Sequence, residues 1–528
     1  AGFRRPAAPA MVWVPALLVT GAMLLPIAYL VVRATGADEG IWPLLLSART
    51  RQLLVNTVLL GASVAATTIV LAVPLAWLTA RTDLPGAPIW RVLTVVPLVI
   101  PSYVGAFVLI TVLGPTGMLQ ALLEQVAGVT RLPDFYGFLG AWLTLSLFTF
   151  PYVLLSVRAG LRGIDPSIEE ASRALGQTGW HTFWGVTLPL LRPWIGAGAL
   201  LVVLYVFSDF GAVSMMQFDS FTTAIYLQYQ ASFNRSYAAV LSLVLVSLSV
   251  VMVLLEGRQG RGRYHRIGSA TARLPRRARL GRWRWPALAF CSSLVGAAVV
   301  LPVGVIAYWL VVGVRHGEAL LLSLRPAVNS VYAAGLSGLL TVAAAMPVAV
   351  LSVRYRGALA TAVARLSYAG YALPGIVVAL SLVFFGARFA LPLYQTIALL
   401  VFAYMVLFLP QALGPLRSAL QQVSPAHEES ARTLGRTARE VVWTVTVPLV
   451  RSGAIAAGAL VFLTTMKELP ATLLLSPIGF ETLATRVWSA ATEGFFARAA
   501  GPALLLVLTS ALSVGLLLSQ ERSRWRDD

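Results

Sequence analysis

Two stretches decide how this chain is built: Asp165-Pro-Ser-Ile-Glu-Glu-Ala-Ser-Arg-Ala-Leu-Gly176, continuing to Val186-Thr-Leu-Pro189, and Ser424-Pro-Ala-His-Glu-Glu-Ser-Ala-Arg-Thr-Leu-Gly435, continuing to Val445-Thr-Val-Pro448. Each opens with a residue suited to cap a helix N-terminus, followed by proline at the first helical position, where a missing N–H is not needed. Acidic residues occupy the first turns, where the helix dipole favours them. Gly176 and Gly435 permit the left-handed conformation that ends a helix. A short amphipathic helix comes next, and Pro189 or Pro448 marks the turn into the next apolar run. Each stretch predicts a helix–glycine–helix elbow, and its second occurrence predicts a duplicated chain.

Outward from the elbows the sequence is almost continuously apolar. Of 528 residues 58% are hydrophobic and 12% charged, and the mean hydropathy is +0.80. A soluble protein of this size needs more charge to cover its surface. Runs of about 20 apolar residues suffice to cross a bilayer as helices, and continuous rather than alternating runs exclude an outer-membrane barrel. Expected spans are 11–33, 54–80, 91–113, 137–160, 194–215 and 237–256, then 286–314, 328–353, 366–388, 394–416, 453–475 and 501–519. The fold class is therefore an all-α polytopic membrane protein with two tandem, pseudo-twofold-related six-helix transmembrane halves. Residues 1–256 and 286–528 form the halves, with elbow loops 165–189 and 424–448, and residues 257–285 form the linker.

The halves also correspond residue by residue, as internal repeats must. Asn56-Thr57 and Asn329-Ser330 open the second span of each half, 273 residues apart; Pro74 and Pro347, and Pro101 and Pro374, keep that offset. Beyond the third span the offset falls to 259, as Pro151 and Pro410 show, so the first half carries a loop 14 residues longer around Gly114–Gly137. Halves of six spans run parallel, which puts their symmetry axis along the membrane normal and a cargo path between them. Prolines inside the spans are tolerated where neighbouring helices satisfy the freed backbone groups.

The net charge of +19 would suggest nucleic acid in a soluble protein, but its distribution argues otherwise. Between Gly257 and Trp285 lie ten arginines and no acidic residue. Flanked by apolar spans, that cluster reads as a cytoplasmic loop under the positive-inside rule, not as a nucleic-acid footprint. Arg4 and Arg5 precede a first apolar run too long for a signal peptide, which places the N-terminus inside and both termini cytoplasmic. The single cysteine, Cys291, can form no internal disulfide.

The spacing E-A-A-x3-G-x9-I-x-L-P is the signature of ABC-importer permeases, and both elbows resemble it closely. The first supplies Glu170, Ala171, Ser172, Gly176, Val186, Leu188 and Pro189; the second supplies Glu429, Ser430, Ala431, Gly435, Val445, Val447 and Pro448. The departures are small-for-small or aliphatic exchanges that leave the elbow intact. The resemblance implies a type I importer permease of the bacterial inner membrane whose elbows dock in clefts of a separate ATPase. It assigns ATPase coupling to Glu170, Ala171, Gly176, Glu429, Ala431 and Gly435. It also implies two ATPase copies on the cytoplasmic face and a periplasmic or lipid-anchored binding protein outside. ATP would be used by the partner and no cofactor held by this chain.

Near the C-terminus Met466-Lys-Glu-Leu-Pro-Ala-Thr-Leu-Leu-Leu475 and Gly479-Phe-Glu-Thr-Leu-Ala-Thr485 resemble the ferric-iron branch, whose members carry both halves in one chain. Ser208-Asp209-Phe210-Gly211 is the first-half counterpart. Permeases for thiamine, aminophosphonates and polyamines are relatives, so the resemblance leaves those cargoes open.

Other functions leave little trace. The four histidines (181, 265, 316 and 427) show no metal-like spacing. A P-loop needs Gly-Lys-Ser/Thr, and the single lysine, Lys467, follows Met466. A secondary transporter would need more intramembrane ionisable groups for ion coupling. Asp209, Lys467 and Glu468 are the candidate path or gate. Asp209 lies 16 residues beyond Pro193, or about 24 Å of helix, which places it and its counterpart Glu468 toward the external side. Either the carboxylates attract a cation there while Lys467 limits its residence, or Lys467 and Glu468 cap helix ends or make structural ion pairs.

Overall fold

The computed structural model describes residues 10–36, 41–231, 235–259, 278–317, 324–355 and 357–523. Among them ten helices are long and apolar enough to cross a membrane. In the first half these are the spans Ala10–Thr35, Ala48–Arg81, Ser102–Ala127, Phe138–Gly163, Gly179–Ser208 and Ser236–Leu255. The second half contributes Gly281–Arg315, Leu324–Arg354, Ile397–Gln422 and Val442–Met466. The expected ninth span is the bent pair Ala358–Ala372 and Gly375–Phe389, and the twelfth is the shorter apolar stretch Phe496–Leu512 of a helix that continues to Ser523. Most of the arginine-rich linker, with residues 260–277 and therefore His265, lies outside the described residues, as do Arg4 and Arg5.

Three expectations about the spans are corrected. The third and ninth spans do not run continuously through 91–113 and 366–388. Each breaks before a proline, Pro101 or Pro374, and the ninth bends there by 102°. A proline clashes with helical backbone at the residue before it, and Ile100 (ψ 118°) and Leu373 (ψ 110°) are accordingly extended. The fifth and eleventh spans end at Ser208 and Met466 rather than 215 and 475; short helices Gly211–Met215 and Pro470–Leu475 come after the breaks. The longer first-half loop contains a helix of its own, Met118–Ala127, which extends the third span beyond Gly114.

The repeated pairs that opened the second spans have a structural purpose. Asn56 Nδ2 donates to the Asp219 carbonyl (2.9 Å) and Thr57 Oγ1 accepts from Phe221 N (3.1 Å). Asn329 Nδ2 donates to the Glu481 carbonyl (2.9 Å) and Ser330 Oγ accepts from Leu483 N (2.8 Å). Thr57 and Ser330 thereby satisfy buried loop amides that would otherwise be orphaned among apolar helices.

Packing does not follow the order of the sequence. The first span shares a core with the second half: Thr20 Oγ1 meets Ser367 Oγ at 3.1 Å, Ser381 Oγ donates to the Pro26 carbonyl at 2.8 Å, and Tyr29 stacks edge-on to Phe385. The seventh span in turn belongs to the first-half core, with Ala298 and Val305 fully or nearly buried beside Val99 and Phe107. Each half thus lends its leading helix to the other.

Candidate functional site

Each elbow forms as its residues dictate. Asp165 caps Pro166–Ala174 by accepting from Ser167 N at 2.9 Å, and Ser424 caps Pro425–Thr433 by accepting from Ala426 N at 3.3 Å. The same Ser167 amide holds the Asp165 carboxyl below the usual carboxylate range. Gly176 and Gly435 both adopt φ +84°, a left-handed conformation that glycine enters without cost. Beyond these glycines the structure departs from expectation: Pro189 and Pro448 mark no turn. Helix runs on into the span through π-helical turns Phe183–Thr187 and Val442–Thr446. Proline leaves the carbonyl four residues before it without a donor, and a widened turn absorbs the mismatch.

The paired glutamates divide their work. Glu170 and Glu429 are exposed, as are Ala171, Gly176 and Gly435; Ala431 is half-buried. Glu169 and Glu428, one residue earlier, turn inward. Glu169 Oε1 accepts from Thr187 Oγ1 (3.1 Å) and lies 4.0 Å from Arg81 Nη2. Glu428 Oε1 accepts from Thr446 Oγ1 (3.2 Å) and lies 3.0 Å from Arg354 Nη2. The most exposed apolar residues of the elbows, Leu175 (84% exposed) and Leu434 (85%), were missed at the level of sequence. Their signal was present: a leucine directly before the helix-ending glycine in both copies.

A cavity of about 260 Å³ lies where the halves meet, walled by both broken third spans and by the ends of the fifth and eleventh. Asp209, Lys467 and Glu468 all line it. Asp209 is buried, and it caps Gly211–Met215: Oδ1 accepts from Ala212 N (3.0 Å) and Val213 N (3.3 Å), and Oδ2 accepts from Ser102 Oγ. Glu468 Oε1 caps Pro470–Leu475 through Ala471 N at 3.1 Å, and no hydrogen bond occupies Oε2 among the described residues. Lys467 makes no ion pair among the described residues; its Nζ donates to the Leu98 carbonyl of the opposite half at 2.8 Å. Each carboxylate thus accepts amides at the start of the short helix that follows it, and among the described residues neither pairs with Lys467.

Ser102, which donates to Asp209 Oδ2, opens the third span's main helix, Ser102–Leu113. Tyr103, which sequence reasoning missed, lines the same cavity, 3% exposed and with a hydroxyl that finds no partner among the described residues. It carries no motif of its own and gains meaning only from the packing. Gly211 is required here, since a Cβ would stand 2.8 Å from Tyr103 Cβ and 3.0 Å from Leu469 Cδ2 of the other half. Among the described residues no three His, Cys, Asp or Glu side chains gather to hold a metal ion.

Comparison with known proteins bears on both features. The family described as binding-protein-dependent transport system inner membrane component matches residues 72–262 and again 339–522. An Fe(3+)-transport system permease protein of Haemophilus influenzae is 36% identical over 508 residues, covering 95% of this chain and 96% of that protein. A molybdenum transport system permease protein of Escherichia coli is 29% identical over 211 residues, 38% of this chain and 91% of that protein. A sulfate transport system permease protein of Synechococcus elongatus is 29% identical over 195 residues, 35% of this chain and 67% of that protein.

Proposed function

Because the chain belongs to the binding-protein-dependent transport system inner membrane component family, through both of its halves, we propose that it forms the whole membrane path of an ABC importer for ferric iron. A separate ATPase subunit, two copies of it, docks on the two elbows. A binding protein delivers cargo to the opposite face, and this chain holds neither nucleotide nor resident cofactor. The observation that carries the cargo is the likeness to the Fe(3+) permease along nearly the full length of both chains. The molybdenum and sulfate permeases match little more than a third of this chain, and so speak for architecture rather than cargo.

The elbows face the cytoplasm and both termini lie there. The linker's composition supports this through the positive-inside rule. Its last described residues sit on the elbow face, where Ala278 N donates to the Arg81 carbonyl at 2.8 Å and Leu280 N to Asp83 Oδ1 at 2.8 Å.

Cargo passes through the cavity between the halves. Asp209 shapes the wall, its oxygens spent on backbone and Ser102, whereas Glu468 Oε2, the Tyr103 hydroxyl and Gln411 Oε1 are hard oxygen atoms left to meet a cation. Lys467 draws the two halves together at Leu98, so the path opens as that bond breaks. The test is uptake by proteoliposomes holding this chain, its ATPase and its binding protein, offered ferric iron, molybdate or thiamine. ATP-dependent accumulation of ferric iron alone supports the reading, and accumulation of either of the others instead overturns the cargo.

A further inference from the structure

We infer that the second and eighth spans are connecting rods, each fastened at one end to an elbow and at the other to the loop that follows a short helix starting at the cavity wall. The near anchors are Arg81 and Arg354, the last residues of Ala48–Arg81 and Leu324–Arg354. Each guanidinium meets the inward glutamate of its elbow, Glu169 or Glu428, which also binds the threonine at the root of the following span. Three elements therefore meet at one carboxylate, and the side chains involved are 6–15% exposed. A charge pair so far from water is costly to separate, so a displaced elbow drags the span with it.

The far anchors are Asn56-Thr57 and Asn329-Ser330. They hold the loops that come after the short helices capped by Asp209 and Glu468, through Asp219 and Phe221 in one half and Glu481 and Leu483 in the other. Thr222 Oγ1, next to Phe221, donates to the Asp209 carbonyl itself at 2.7 Å. Between its anchors each span is unbroken helix despite Pro74 or Pro347. A rigid helix fixed at both ends passes on a rigid-body shift that a loop would absorb.

The rods are fastened unequally. Arg354 reaches Glu428 directly at 3.0 Å, whereas Arg81 stands 4.0 Å from Glu169 and donates to the Leu161 carbonyl at 2.8 Å. The first rod thus also grips the end of the fourth span, and the second is tied chiefly to its elbow. Arg81, Arg354, Glu169 and Glu428 act as positioning residues, outside any contact with cargo or nucleotide.

The rods rest on the elbows as coupling elements but not on the identity of the cargo, so their test reads motion rather than uptake. Spin labels at Asp219→Cys and Glu481→Cys, with Cys291→Ser, report the distance between the two anchored loops in the chain assembled with its ATPase. Trapping with ATP and vanadate shifts that distance in the otherwise unaltered complex. Glu428→Gln, which keeps an oxygen for Thr446, loses most of the shift while ATP is still hydrolysed, and Arg354→Lys retains it. Asn329→Ala, which leaves the elbow untouched, loses the shift from the other end, so the test does not depend on one variant. A full shift in Glu428→Gln and Asn329→Ala, or no shift in the unaltered complex, overturns the inference.

Discussion

Asp209 and Glu468 hold equivalent places in the two halves, yet their carboxylates are fitted by opposite means. Asp209, one methylene shorter, is bridged by the hydroxyl of Ser102. Glu468 instead fills the room left at Gly375, the counterpart of Ser102, where a Cβ would stand 2.6 Å from Glu468 Oε1. The two pairs are alternative solutions to one packing problem.

Exchanging one solution for the other has a cost in stability. Gly375→Ser should destabilise the protein by about 1–3 kcal/mol, the usual cost of overpacking. Adding Glu468→Asp recreates the first-half pair and should recover most of the loss. Thermal unfolding in detergent of the single and double variants checks both expectations.

The same asymmetry separates the roles of the two carboxylates. Asparagine caps a helix about as well as aspartate, so Asp209→Asn should lower ferric uptake only slightly. Glu468→Gln removes the charge from the oxygen left free to the cavity and should lower uptake about tenfold, the equivalent of about 1.4 kcal/mol. Initial uptake rates in proteoliposomes at matched protein content measure the difference.

The repeat, the order of most spans and both elbows were legible in the sequence because local signals set them: Asp165 and Ser424 as caps, Gly176 and Gly435 as stops, and Asn56 and Asn329 as markers of a fixed offset. The breaks at Pro101, Pro374, Asp209 and Lys467 were not, since an apolar window averages over a few residues of irregular backbone. The division between Glu169 and Glu170 depends on which side of a helix meets Arg81, a residue 88 positions earlier in the chain. Nor could composition show that Ala10–Thr35 packs on the opposite half.

Charge at the exposed glutamates should matter to the ATPase. Glu170→Lys or Glu429→Lys places an inverted charge in the proposed docking surface, where a like-charge contact costs several kcal/mol. A loss of about 2 kcal/mol corresponds to roughly thirtyfold weaker association. Co-purification of the ATPase with each variant reads this, and the two should differ because Trp180 and Trp184 flank only the first elbow as an exposed edge-to-face pair.

The proposed orientation, which rests on the composition of the linker, is tested by labelling. Single cysteines at Ala270 and Gln125, each with Cys291→Ser, should react with an impermeant thiol reagent from opposite faces in intact cells and inverted vesicles. Reaction of both from one face would reverse the topology.

If cargo crosses between the halves, it must pass the cavity that Ser208, Asp209 and Glu468 line. A block placed there is the sharpest probe: ATP-driven ferric uptake by the reconstituted complex carrying Ser208→Cys and Cys291→Ser, before and after modification with a bulky thiol reagent. Leu18→Cys, on an exposed face of the first span (69% exposed), serves as control. Modification at position 208 should stop uptake and reduction should restore it, while modification at position 18 leaves the rate unchanged. Uptake at the unmodified rate with position 208 fully blocked would place the path elsewhere.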